Sequence, residues 1–121
     1  MFVVSRFDVD PAEAGDFVER ARGALAALAA RPGYRSGRVG RSLDEPTVWS
    51  IITAWEGVGA YRRALSAYDV KIGAAPLLAQ ARDEPSSFET LLSDDGIHAI
   101  SATSDRASDT REPGSRGEPA R

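Results

Sequence analysis

The sequence predicts an α+β fold with the element order β-α-β-β-α-β, in which a four-stranded antiparallel sheet carries two helices on one face. Three observations lead to this prediction. Residues 47–55 (TVWSIITAW) are rich in β-branched and aromatic residues and lack a polar face, as expected of a central strand. Residues 11–31 repeat apolar side chains every three or four positions, the pattern of an amphipathic helix. Turns that contain proline or glycine separate the remaining predicted elements up to residue 92.

The first strand and first helix have clear boundaries in the sequence. Alternating residues predict a strand at 2–9. Asp10 then fits a helix N-cap and Pro11 the first helical position, with Glu13 three residues after the cap, where a capping box needs it. We expect the helix to end at the Pro-Gly pair of residues 32–33.

The remaining elements follow from weaker signals. Residues 34–43 predict a second strand, whose three arginines suit a sheet edge and whose glycines indicate a bulge or a close backbone approach. An Asp-Glu-Pro turn joins it to the third strand as a hairpin. A helix is predicted at 58–66 and a second helical piece up to residue 81, which Gly73 and Pro76 are expected to break or kink. The last strand is predicted at 86–92.

This order of elements is the ferredoxin-like, split βαβ arrangement. Both helices cover one face of such a sheet and leave the other face bare. A domain of about 92 residues buries only ~60–65% of its surface by itself. Because the third strand is also apolar on its second face, we expect two sheets to pack face to face in a symmetric homodimer.

Composition excludes several kinds of chemistry. The 121 residues include no cysteine, which excludes disulfides, thiolate nucleophiles and zinc–thiolate sites. The only histidine, His98, lies in the polar segment 93–121, which is predicted to be a disordered tail. A Ser-His-Asp triad, a histidine metal cluster or haem ligation by histidine is therefore not expected in the folded domain at 1–92. No cofactor is expected.

Charge and hydropathy bear on partners and location. The net charge of −3 gives no basic surface for nucleic acid. No apolar run approaches the ~20 residues of a membrane span. The chain starts directly with a predicted strand instead of a signal peptide, and a cytoplasmic protein is the expectation.

Three local motifs carry a resemblance to a known family. A Pro-Gly-Tyr follows the first helix, the third strand ends in Trp-Glu at Trp55, and a Gly/Ala-Tyr helix start follows at Tyr61. Together with the βαββαβ order, they resemble the antibiotic biosynthesis monooxygenase (ABM) superfamily over residues 1–92. The resemblance implies a dimeric α/β barrel. The superfamily includes cofactor-free monooxygenases, haem-degrading enzymes, isomerase-like relatives and proteins of no known activity.

The resemblance also assigns positions. Trp55 matches the family's tryptophan at the end of the strand, and Tyr61 matches a substrate-contacting tyrosine of anthrone-oxidising members. Ile51 replaces an asparagine of those members. Ser5 lies about where haem-degrading members have an asparagine, and alanines replace their helical tryptophan and histidine, which disfavours haem degradation.

The resemblance therefore implies cofactor-independent oxidation of an electron-rich aromatic substrate, such as an anthrone or hydroquinone, by O2. The protein would have to exclude water, orient the ring and stabilise an anion. We expect the indole rings to wall an aromatic pocket and the hydroxyls to bond a phenolate oxygen. The candidate catalytic residues are Trp55, Tyr61 and Ser5. The candidate substrate-binding residues are Val3, Phe7, Trp49, Ile51 and Arg38.

Two other functions fit the same residues. One is a non-catalytic dimeric module that binds a small molecule, favoured by the apolar residues where relatives carry polar ones. The other is an isomerase or cyclase on the same fold, which would turn over without consuming oxygen. A cavity of several hundred Å³ with a few polar groups would indicate a ligand site. A filled interior would indicate a structural role.

Overall fold

The computed structural model describes residues 1–96 and the backbone of residues 99–101. One sheet contains four strands in the spatial order β2-β3-β1-β4, and each neighbouring pair is antiparallel. This is the predicted ferredoxin-like α+β fold. The four strands are β1 (Phe2–Asp8), β2 (Tyr34–Arg41), β3 (Val48–Trp55) and β4 (Ser87–Phe88). The helices are α1 (Ala14–Ala29), α2 (Val58–Ser66), α3 (Tyr68–Gly73) and α4 (Ala75–Leu78), with a 3₁₀ turn at Pro11–Glu13.

Strand β3 is central, as predicted, because β1 and β2 flank it on either side. Its residues alternate strictly between buried and half-buried, and the same period of two holds for most of β1. We call the face that packs under the helices the inner face and the opposite one the outer face. The buried inner-face residues of the two strands are Val3, Ser5, Phe7, Trp49, Ile51, Thr53 and Trp55.

The turn after α1 lies very close to α2. Before α1, Asp10 caps the 3₁₀ turn that leads into the helix, because the Ala12 N–H donates to Asp10 Oδ1 at 2.9 Å. At the far end, Gly33 adopts a positive φ of 89° after the helix ends. A Cβ added at Gly33 would collide with the Cβ of Ala60 in α2. A glycine is therefore required here both by its backbone conformation and by the closeness of α2.

The helix predicted at 58–66 is confirmed as α2, and it ends at the extended residue Ala67. The helical piece that follows is divided at Ala74, between the predicted positions Gly73 and Pro76, and the last strand differs from its prediction. Pro76 instead lies in the first turn of α4, where its missing N–H costs nothing. The predicted strand 86–92 shortens to β4, whose residue Phe88 already pairs with the first residue of β1. Residues beyond Phe88 have no β1 residue left to pair with.

The start of the predicted tail is folded. Strands β5 (Leu92–Asp94) and β6 (Ala99–Ser101) form a separate two-stranded antiparallel sheet. Gly96 has a positive φ of 88°, and its N–H donates to Asp94 Oδ1 at 2.8 Å, which stabilises the turn. The expectation of disorder from residue 93 onwards is therefore corrected for these strands. The rest of that prediction, with His98, lies outside the described residues.

Candidate functional site

A cleft of about 630 Å³ opens between α2 and the edge of the sheet at β4. Its volume is in the range of small-molecule sites. One wall consists of α2 residues one helical turn apart, Val58, Tyr61, Arg62 and Leu65. The other wall comes from β4 and the chain after it, with Met1 at one end; its residues are Ser87, Phe88, Glu89 and Leu91.

Tyr61 is the sequence-predicted catalytic residue that lines this cleft. The side chain of Ser87 approaches its hydroxyl from the opposite wall. Burial raises the pKa of the Tyr61 phenol above its usual value, while the interaction with Ser87 acts in the opposite direction. Because an unperturbed tyrosine already titrates near 10, Tyr61 is a neutral phenol at neutral pH and can donate a hydrogen bond to an anion.

Trp55 lies behind Tyr61 rather than in the cleft. The two rings are 5.5 Å apart between centroids, and the ring of Tyr34 packs edge-on against the indole at 5.4 Å. Only 2% of Trp55 is exposed, and its Nε1–H donates to Thr53 Oγ1 at 2.9 Å. Its indole N–H is therefore already engaged, so Trp55 holds the Tyr61 ring in place without offering a donor to a ligand.

The other predicted aromatic residues belong to a separate cluster. Phe17 packs against both Phe7, at 5.1 Å, and Trp49, at 5.3 Å. The guanidinium of Arg41 lies 5.6 Å from the centroid of the Trp49 ring. Trp49 and Trp55 lie six residues apart on β3, which corresponds to about 20 Å. The predicted single wall is thus replaced by two clusters, and Phe7 and Trp49 do not line the cleft.

The remaining candidates also lie away from the cleft. Ser5 pairs with Ile51 on the inner face, and both side chains are buried beneath the helices together with Val3. Val3 is the nearest of them to the site, since it pairs with Ser87. Arg38 pairs with Ile52 and so lies on the outer face, opposite to the other candidates. The convergence of these residues with Tyr61 on one cavity is not observed.

Residues that the sequence interpretation missed supply most of the cleft's polar groups. Ser87, Glu89 and Arg62 line it together with Tyr61. Ser87 and Glu89 are two residues apart, a spacing that alternation along a strand could have indicated. Val58, Tyr61 and Leu65 follow the helical period, which could have marked this face of α2. The result is an apolar cleft with one phenol, one hydroxyl, one carboxylate and one guanidinium, which suits a largely apolar ligand with a few polar groups.

Two further features of the described residues bear on the site. Residues 1–96 contain no group of three or more His, Asp or Glu side chains placed to hold a metal ion. None of the helices described is long and apolar enough to cross a membrane.

The chain belongs to the antibiotic biosynthesis monooxygenase (ABM) family, whose model matches residues 1–71. Among solved structures it is similar to SnoaB from Streptomyces nogalater, a cofactor-independent oxygenase. The identity is 28%, over 67% of this chain and 82% of SnoaB, with a TM-score of 0.55. A SnoaB variant matches at 27% identity with a TM-score of 0.58.

A conserved protein from Methanosarcina mazei Go1 has the same fold. It is 19% identical over 71% of this chain and 84% of its own, with a TM-score of 0.58. No curated protein matches the chain.

Proposed function

We propose that this protein is a cofactor-independent monooxygenase that oxidises an electron-rich, anthrone- or hydroquinone-like aromatic substrate with O2 in the cleft between α2 and β4. The observation that carries the proposal is the placement of Tyr61, a neutral phenol on the wall of an apolar cleft of about 630 Å³. Membership of the ABM family and the likeness to SnoaB, a cofactor-independent oxygenase, support it.

The proposed reaction needs little from the protein beyond placement and electrostatics. An anthrone that loses a proton becomes an electron-rich anion, which passes an electron to O2 and then forms a C–O bond. In the overall balance, a CH2 group and O2 give a C=O group and water. Apolar side chains of the cleft, Val58, Leu65 and Leu91, would hold the ring and exclude water. Tyr61 would donate a hydrogen bond to the oxygen on which the negative charge develops.

Oxygen uptake is the first test of the proposal. The purified protein, without added metal or flavin, would be assayed with a panel of anthrones and hydroquinones. We expect uptake above the autoxidation rate of each substrate, and heat-unfolded protein at the same concentration serves as the control. Uptake equal to that control on every substrate would contradict the proposal. Turnover without uptake would favour an isomerase or cyclase.

A binding module is the second candidate. It is favoured by the Trp55 indole, whose N–H is already bonded to Thr53, and by the burial of Ile51 in the core. The cleft therefore gains no polar group from β3. A ligand that binds in the cleft and is released unchanged would support this candidate over the monooxygenase.

The proposal includes a homodimer formed through the outer face of the sheet. The half-buried outer-face side chains of β1 and β3 are apolar at one end of the face, as at Val4 and Ile52. Ion pairs flank them at the other end, where Arg6 contacts Glu84 at 2.8 Å and Arg82 contacts Asp8 at 2.6 Å. The apolar end would supply the buried part of an interface, and the ion pairs would lie in its polar rim. A twofold axis would place identical patches in contact.

Light scattering on an Ile52→Glu variant tests the dimer. A charge buried in the interface at each copy of position 52 is expected to weaken the dimer by roughly 100-fold or more. Leu43→Glu is the matched control, because Leu43 is 99% exposed in the β2–β3 turn. We expect the wild type and the Leu43 variant to give the dimer mass and the Ile52 variant the monomer mass. A monomeric wild type would contradict this part of the proposal.

A further inference from the structure

We propose that Glu89 is the general base of this cleft, accepting the proton that the aromatic substrate must lose before it reacts with O2. The inference rests on the proposed function and extends it to a residue to which the family resemblance assigned no role. Glu89 lies in the wall opposite α2, two residues after Ser87, and lines the same cleft as Tyr61. Its Oε1 atom is buried, so the carboxylate is folded onto the protein surface rather than extended into solvent.

The other polar groups lining the cleft are poorly suited to take a proton. The guanidinium of Arg62 offers hydrogen-bond donors and no acceptor. Tyr61 already holds its proton, because burial raises the pKa of its phenol. The hydroxyl of Ser87 has no basic neighbour of the kind that activates a serine, since residues 1–96 contain no histidine. Glu89 is the one carboxylate among the described residues that line the cleft.

The roles of Glu89 and Tyr61 are complementary. In the first step, a C–H or O–H bond of the substrate breaks and the proton moves to the Glu89 carboxylate, while the electron pair stays on the ring system. Tyr61 donates its hydrogen bond to the oxygen of the resulting anion. After the anion has passed an electron to O2 and a C–O bond has formed, the protonated Glu89 returns the proton to the peroxide. Loss of water then gives the ketone, and the carboxylate is restored.

An anaerobic titration tests the base without requiring turnover. An anthrone is mixed with the full chain in the absence of O2, at a pH where the free ligand is neutral, and the absorption band of its anion is recorded. The wild type is expected to produce the anion band on binding. Glu89→Gln, which keeps the shape and loses the basicity, is expected to bind the ligand without producing the band. Glu19→Gln, on an exposed part of α1, is the matched control and is expected to behave as the wild type.

Oxygen uptake provides the second readout. Glu89→Gln is expected to lower kcat/KM by about 10²- to 10⁴-fold on weakly acidic substrates, the usual contribution of a general base. The loss is expected to vanish on a substrate that is already ionised at the assay pH, which a merely structural defect would not do. If Glu89→Gln fails to fold, Glu89→Asp is assayed instead. We expect it to lose part of kcat/KM on weakly acidic substrates and none on a substrate that is already ionised.

The outcomes separate this inference from the proposed function. Oxygen uptake by the wild type together with an unchanged anion band or unchanged rate in the Glu89 variants overturns the role of Glu89 and leaves the monooxygenase standing. An anion band in the wild type that is lost in Glu89→Gln, without any oxygen uptake, supports the base and overturns the monooxygenase. A wild type that gives neither band nor uptake overturns both.

Discussion

Replacing Tyr61 with phenylalanine is expected to lower kcat/KM for oxygen uptake by about 10²- to 10³-fold, the usual cost of removing one donor that faces a developing anion. The ring stays, so its packing on Trp55 at 5.5 Å is retained. The loss of the hydroxyl's interaction with Ser87 is expected to lower the free energy of unfolding by only about 0.5–1.5 kcal/mol. We therefore expect a large loss of activity in a variant whose stability is little changed.

Tyr68→Phe is the matched control for this experiment. Tyr68 is 75% exposed at the start of α3 and does not line the cleft. Its loss of a hydroxyl is chemically identical, and we expect no change in rate. A Tyr61→Phe variant that is folded and fully active would remove Tyr61 from the mechanism and leave it as a packing residue.

Trp55→Ala is expected to have the largest effect on stability, lowering the free energy of unfolding by about 3–5 kcal/mol. The indole is 2% exposed and contacts Tyr34 and Tyr61, so its removal leaves a cavity between the sheet and α2. Domains of this size have only about 5–15 kcal/mol of stability in total. Urea denaturation followed by circular dichroism measures the change directly.

Thr53→Val separates the two contributions to the role of Trp55. Valine keeps the volume but leaves the buried indole N–H without its acceptor, for which we expect a cost of about 1–3 kcal/mol. The cavity accounts for the remainder of the Trp55→Ala effect. If Trp55→Ala and Thr53→Val cost the same, the hydrogen bond rather than the packing is the main contribution of this residue.

Periodicity made the centre of the fold predictable. In β1 and β3 about every second side chain is buried, and in α1 the buried side chains form one stripe along the helix. Each pattern is long enough to identify the element. The length of β4 was overestimated because the extent of a strand depends on its partner, and β4 pairs only with Phe2 and Val3, at the very start of β1. Composition alone does not carry that information.

Arg38 shows how a single irregularity changes the face on which a residue lies. Tyr34 pairs with Trp55 but Ser36 pairs with Ala54, so one extra residue interrupts the ladder between β2 and β3. An uninterrupted ladder from Tyr34 would have placed Arg38 opposite Ile51 on the inner face. The bulge moves it opposite Ile52 and thus to the outer face. The glycines of β2 predicted an irregularity, but not its position.

The cleft was only partly predictable for a related reason. Alternation correctly placed Trp49 and Trp55 on the same face of β3. It does not indicate which helix covers each tryptophan, and so it does not indicate which of them lies near the cleft. Tyr61 was found because the family resemblance assigns it. Ser87 belongs to a sheet edge whose position depends on the completed fold, and Glu89 follows directly after that edge.

The shortness of β4 has a consequence for access to the cleft. Its two residues pair only with Phe2 and Val3, and one further bond runs from the Val4 N–H to the Ser86 carbonyl at 2.7 Å. Segments with so few backbone bonds open locally at a much smaller free energy than the whole domain. One wall of the cleft can therefore detach while α2 and the core stay folded. A ligand of the proposed kind would then need only fraying of this edge to enter, and once bound it would add contacts that hold the edge closed.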